Sequence, residues 1–169
     1  VLYTYILARV QYWSQQAQQD GDKLLQRLLN ASDKERNTAK KKQTAELKKA
    51  TKRKAEVDNL FAKMYEDWSV GRITEYNFNM LSEKYQAEQH ELDEKIQELQ
   101  AELDAAVQTA VDAEKWIELM KKYVNPTQLT AELLNALIEK ILIHEAVKHE
   151  DGTREQEVEI FYRFIGKVE

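Results

Sequence analysis

Three histidines, a run of lysines and a knot of aromatic side chains around one glycine are the places where this 169-residue sequence could act on something. His90 lies beside Glu91 and Glu94 in a stretch of helical spacing, where a solvated imidazole is the ordinary outcome. His144 and His149 flank a later turn. A metal ion there would need more converging ligands than the spacing supplies. The chain has no cysteine, which excludes disulfides and thiolate metal sites within it. Carboxylates are abundant, but on long polar helices abundance alone assigns no acid or base. No glycine-rich phosphate loop is present. The sequence therefore assigns no catalytic residue, metal ligand or cofactor.

Lys40, Lys41, Lys42, Lys48, Lys49, Lys52, Arg53 and Lys54 form the basic run. Such a run can neutralise phosphates, which makes Lys48, Lys49, Lys52 and Arg53 candidate DNA contacts. It lacks interleaved aromatics, and the formal charge of −5 gives no global argument for nucleic acid or an anionic membrane. Glu88, Glu91, Asp93, Glu94, Glu98 and Glu102 form an acidic run further on. If the two segments lie side by side, they read as flanking charge pairs between two helices.

Met64, Tyr65, Trp68, Val70 and Tyr76 surround Gly71 and are the candidate protein–protein contacts. Exposed aromatics about a small apolar spot are what an interface hot spot uses. Gly71 supplies a left-handed helix stop. Thr74 is the N-cap of the next helix, with Ile73 and Phe78 placed as a hydrophobic staple. Asn77 stands where a complete capping box would have Glu or Gln.

These features need two long helices to position them. Only four glycines and one proline, with 33% charged residues, favour such helices over a turn-rich β fold. Leu47, Ala50, Lys54, Val57, Phe61, Met64 and Trp68 are spaced three and four apart. After the turn, Phe78, Leu81, Tyr85, Glu88, Leu92, Ile96, Leu99 and Leu103 continue the pattern with one irregular step. Folding back at Gly71 sets Phe61 against Leu81, Val57 against Tyr85, Lys54 against Glu88, Ala50 against Leu92 and Leu47 against Ile96. Further down, Leu25 meets Ile117. From Ala31 to Glu46 large apolar residues are scarce, although Leu99 and Leu103 should face that segment. It is expected to be loosely packed or completed by another chain.

The ends form a base. Leu2, Tyr5, Ile6, Val10, Tyr12 and Trp13 make an aromatic stripe expected to pack on the C-terminal part. Asp20-Gly21-Asp22 marks a break or a kink. Pro126 ends the second long helix, and Thr130 caps a short one carrying Leu133, Leu134, Leu137, Ile138 and Ile141. Alternation at Ile141, Ile143 and Val147, then at Val158, Ile160, Tyr162 and Phe164, predicts a β-hairpin turning at Asp151-Gly152. That turn sets Ile143 opposite Ile160 and Ile141 opposite Tyr162. The expected fold is mainly α: a long antiparallel two-helix coiled-coil hairpin on a small base of short helix plus β-hairpin. Its parts are a base helix over 1–22, an arm over 23–122 with its tip near 69–73, and a cap over 127–169.

The stretch Leu129-Thr130-Ala131-Glu132-Leu133-Leu134, with Ile138 to His144 and Val158 to Tyr162, resembles the end of a large serine recombinase. The closer likeness is to transposon-type resolvase/invertase relatives of mobile elements in Gram-positive bacteria. Tyr65-Glu66-Asp67-Trp68 with Gly71-Arg72-Ile73-Thr74 and Phe78 resembles the tip of their coiled-coil arm, and Val1 to Trp13 resembles the segment after their zinc ribbon. The likeness implies that this chain is a C-terminal, non-catalytic fragment. Its parent would be an enzyme with a serine nucleophile and a zinc-bearing ribbon upstream. It implies other recombinase subunits as partners, DNA contacted through the parent, and control of synapsis by the arm. No run approaches the roughly 20 apolar residues of a membrane span, so a cytoplasmic location is expected. The rival expectations are a structural coiled-coil spacer and a DNA-binding arm using the Lys40–Lys54 run. A spacer would not need the C-terminal helix and hairpin.

Overall fold

The computed structural model describes residues 1–168, and within them the scarcity of glycine and proline has the expected result. Helices α1 (Leu2–Gln19), α2 (Gly21–Leu28), α3 (Asp33–Ser69), α4 (Glu75–Lys122) and α5 (Ala131–Leu137) precede short strands. These are β1 (Ile138–Ile143), β2 (Val147–Lys148), β3 (Arg154–Glu155), β4 (Val158–Tyr162) and β5 (Gly166–Lys167). The fold is mainly α, with α3 and α4 packed together and a small sheet at the C-terminal end. No described helix is long and apolar enough to cross a membrane.

Two compact units are present. One is the arm, Lys34–Ala106; the other is the base, built from Val1–Asp33 and the residues from Val107 onward. Residues 23–33 and 107–122 were expected in the arm. Instead Leu24, Trp116, Ile117 and Met120 are buried in the core of the base.

In the arm, the apolar spacing becomes burial. Ala50, Val57, Met64 and Leu99 are buried, and Leu47, Phe61, Leu81, Tyr85, Leu92, Ile96 and Leu103 are half-buried between the helices. Leu99 is thus covered within the chain, beside a pairing in which Gln43 donates to Glu102 at 3.1 Å. The expected Lys54–Glu88 pair does not form. Arg53 grips Glu88 through two hydrogen bonds of 2.6 and 3.2 Å, while Lys54 pairs with Asp93. A long side chain in a seam lays its stem on apolar surface and carries its charge out to the flank. Lys54 accordingly reaches past the seam position to an exposed carboxylate.

The α3 end is a Schellman closure. Arg72 N–H donates to the Asp67 carbonyl at 2.8 Å and Gly71 N–H to that of Trp68 at 3.0 Å. Gly71 has φ +77°, the left-handed region. Thr74 Oγ1 then accepts from Asn77 N–H at 3.2 Å, capping α4.

The base packs one face of α1 on α4, α5 and the sheet. Ile6, Val10, Trp13 and Ala17 are buried, whereas Leu2, Tyr5 and Tyr12 of the expected stripe lie on the exposed face. Trp13, Trp116 and Tyr162 meet edge-to-face, with ring centroids 5.7 and 5.5 Å apart. Asp20 breaks the chain between α1 and α2, and its side chain caps α2 by accepting from Lys23 N–H. A second Schellman closure ends α2, with Asn30 at φ +52°.

The helix after Thr130 is shorter than expected, because Ile138 already begins β1. The sheet order is β1-β4-β5, with β2-β3 as a separate pair. Ile141 pairs with Ile160, Ile143 with Val158 and Ile138 with Tyr162, which overturns the expected register. The reason is a series of single-residue slips. Gly152, at φ +86°, closes a three-residue loop in which His149 N–H donates to the Thr153 carbonyl, rather than the two-residue turn expected. A further residue is accommodated between β1 and β2, and a bulge lies between Ile138 and Lys140. The bulge has a purpose in packing. It places Ile138 and Ile141, three apart, on the same core-facing side. Strand β5 had no counterpart in the sequence reading.

Candidate functional site

The helix stop at Gly71 and the cap at Thr74 bring α3 and α4 aromatics together at the end of the arm. Trp68 and Phe78 stack with centroids 4.5 Å apart and planes 20° from parallel. Tyr65 leans on both, at 5.9 and 6.4 Å. Phe78 thus packs on Trp68 and Tyr65. Met64 is only 6% exposed and supports the cluster from within the seam, so it is not itself displayed. Tyr65, Val70 and Tyr76 are 54%, 66% and 75% exposed, and Trp68 shows an edge. Arg72 closes the tip by pairing with Asp67 at 3.1 Å.

Met80 is also exposed and was missed by the sequence reading. Its signal was its place four residues after Tyr76, on a face of α4 outside the seam. Tyr76 and Met80 thus extend the displayed surface along α4.

The basic run divides in two. Arg53 is committed to Glu88 and Glu56, and Lys54 to Asp93. The Glu88 carboxyl is held below its usual range, chiefly by its hydrogen bond from Arg53. Among the described residues, Lys40, Lys41, Lys42, Lys48, Lys49 and Lys52 form no ion pair with a carboxylate. The expected flank pairing is therefore limited to Arg53 and Lys54. Exposed pairs gain too little, about 0–1 kcal/mol, to hold long lysine side chains in place. Lys40, Lys41 and Lys48 share one side of α3 with Asn37, Thr44 and Ala45.

A family model described as a domain of unknown function, DUF4368, matches residues 102–169. Neither a curated protein nor a solved structure matches the chain. The matched stretch takes in the end of α4, α5 and the strands, and so most of the base.

Within that stretch the hairpin brings together three groups that sequence spacing did not connect. The ligand atoms of His144, Glu157 and Glu159 lie within 4.8 Å of one another. Glu159 already has two of the protein's own side chains as partners: Lys167 at 2.6 Å and the His144 ring at 3.1 Å. Its carboxyl is held below the usual range, first by Lys167 and then by His144. A metal ion bound between them would have to replace the direct His144–Glu159 contact. His149 pairs separately with Glu155 at 3.2 Å, and His90 with Glu94 at 3.3 Å, each at the surface.

Tyr162 is the most perturbed group of the base. Burial pushes its phenol up to about 12, against the opposing pull of the Arg9 charge. The folded state thus keeps a proton that an unfolded tyrosine releases near pH 10. The resulting stability is complete below about pH 10 and lost as pH rises towards 12. A shift of about two units corresponds to about 2–3 kcal/mol. Urea unfolding of the wild type should weaken by this order between about pH 9 and about pH 12, and Tyr162→Phe should remove that part of the alkaline loss. An identical alkaline slope in the variant would refute the assignment.

Proposed function

We propose that this chain is the C-terminal, regulatory part of a site-specific serine DNA recombinase, and that its arm tip binds another copy during synapsis of DNA sites. The observation that carries the contact is the exposure of Tyr65, Trp68, Val70, Tyr76 and Met80 about a capped turn. A hairpin end needs Phe78 and one stacked ring to close; it has no use for Tyr76 three-quarters exposed. Such rings bring large contact area at low entropic cost, as interface anchors do. The recombinase reading is supported by the resemblance along the whole chain and by its agreement with an arm-and-base fold. It carries with it a zinc ribbon and a serine nucleophile elsewhere in the parent, and a cytoplasmic location.

The test is self-association by analytical ultracentrifugation. Trp68→Ala combined with Tyr76→Ala should weaken association by roughly 30-fold or more, the scale of a hot-spot loss of about 2 kcal/mol. Unchanged association, or a wild type that stays monomeric at high concentration, would count against the tip contact.

The lysine face of α3 favours the second reading, a DNA-binding arm, because its charges are not consumed within the chain. Titration of this chain with duplex DNA separates the two. Tight, salt-sensitive binding that is lost on replacing Lys48, Lys49 and Lys52 by glutamine would support the DNA arm.

A further inference from the structure

Strand β1 leaves one of its two edges open. It is the outermost strand of the β1-β4-β5 sheet and pairs only with β4. His144 N–H donates to the Glu157 carbonyl at 3.0 Å, so Lys140, Leu142 and His144 turn their backbone groups towards β4. Ile141 and Ile143 turn theirs the other way. Among the described residues, no backbone or side chain hydrogen-bonds to them there. Sheet edges are normally guarded by charges, bulges, prolines or a covering element. Here the bulge and Lys140 guard only the start of β1. Ile141-Leu142-Ile143 carries no charge, and Leu142 and Ile143 are 40% and 51% exposed. The opposite edge of the sheet is the two-residue strand β5, too short to be extended in the same way.

The side chains decide what fits beside this edge. A second β1 set antiparallel, with Leu142 opposite Leu142, brings Ile141 opposite Ile143 on both sides of the centre. Every free N–H and C=O of those isoleucines then has a partner. On the outer face, Lys140 stands opposite the other copy's His144. Lys140 lies over the Phe161 ring at 4.6 Å and reaches no carboxylate of its own chain among the described residues. Next to His144 on β4, Glu157 has no ion-pair partner among those residues, and Glu159 is shared between Lys167 and the His144 ring. Neighbouring strands lie about 4.8 Å apart, so a lysine side chain spans the His144 row and meets Glu157. A two-fold axis makes this contact twice. Shifting the second strand by two residues either way sets Lys140 opposite Leu142 or Glu145 opposite Ile141, which spoils the match.

We propose that β1 pairs with β1 of a second copy of this chain about a two-fold axis, joining the two sheets into one. The contact is independent of the arm tip and of the recombinase reading. It combines backbone pairing, apolar cover for Leu142 and Ile143, and opposite charges at Lys140 and Glu157. Because the same edge is used by both copies, the pairing closes at a dimer.

The test uses the whole chain carrying Trp68→Ala and Tyr76→Ala, which removes the tip contact, so that the two associations persist or fail separately. Analytical ultracentrifugation of this chain should show a dimer. Hydrogen exchange followed by NMR should show the Ile141 and Ile143 amides becoming protected as concentration rises. Ile143→Pro removes an N–H that the ladder with β4 does not use, so the base should fold while dimerisation weakens at least tenfold. Lys140→Glu and Glu157→Lys should each weaken dimerisation several-fold alone. An equal mixture of the two should restore it, because each copy then faces its opposite charge at both contacts. A monomer at high concentration with unprotected amides overturns the proposal and leaves the edge to an extended segment of a different protein. A dimer indifferent to Ile143→Pro, or assemblies larger than a dimer, would overturn it as well.

Discussion

Replacing Trp116 by alanine should lower the unfolding free energy of the base by about 3–5 kcal/mol, the cost of emptying a large buried aromatic site. Trp116 is fully buried and stands between Trp13 and Tyr162, touching both edge-to-face. It also links helix α4 to the strands, so its loss opens a cavity where helices and sheet share one core. Trp116→Phe should cost distinctly less. Its indole N–H is buried without an acceptor, so phenylalanine removes an unsatisfied donor along with some volume. Urea unfolding followed by near-ultraviolet circular dichroism measures both. Equal losses for the two variants would show that the volume phenylalanine retains contributes nothing, and would refute the cavity account.

Val57→Asp should unfold the arm while sparing the base. Val57 is fully buried in the α3–α4 seam, and a carboxylate there is either desolvated or forces the helices apart. We expect a loss of about 3 kcal/mol or more at neutral pH. Acidification should recover part of it, since burial raises the pKa of a carboxyl and the neutral acid is cheaper to enclose. Arm and base are separate compact units, and two of the three tryptophans, Trp13 and Trp116, belong to the base. Far-ultraviolet ellipticity should therefore fall steeply while the near-ultraviolet signal of those two persists. Simultaneous loss of both signals would show the units to be one cooperative block.

The sequence made the arm legible because its determinants are local and periodic. Three-and-four spacing, one glycine and one threonine suffice for two helices and the reversal between them. The seam residues are those that spacing named. The charge pairs were less legible. Lys54 and Glu88 face the same region, but flexible stems let Arg53 take the partner assigned to its neighbour. In the base, Tyr5 and Tyr12 read as buried because aromatics usually are, yet they share a helix with Ile6, Val10 and Trp13 and lie off their face. The hairpin register was misplaced because Asp-Gly fits more than one loop geometry, and nothing in the sequence marks the bulge at β1. At the tip, spacing picked out Tyr65, Trp68, Val70 and Tyr76 and set Met64 in the seam as well as among the contacts, where only the seam position holds; it did not mark Met80's exposure. The meeting of Arg9 with Tyr162 was invisible, since the ring of Tyr162 and the helix carrying Arg9 are joined only by the tertiary fold.

The irregular register of the C-terminal strands bears on how this chain can change length. Strand β4 is anchored by Ile160 and Tyr162, and β1 must keep Ile138 and Ile141 turned the same way. Because side chains alternate along a strand, gaining or losing one residue between β1 and β4 inverts one strand against the other unless a longer turn or a bulge absorbs it. Relatives of this base should therefore differ through this loop by pairs of residues, or carry a compensating slip. Aligned sequences would record that constraint as a parity in loop length, even where no residue is shared.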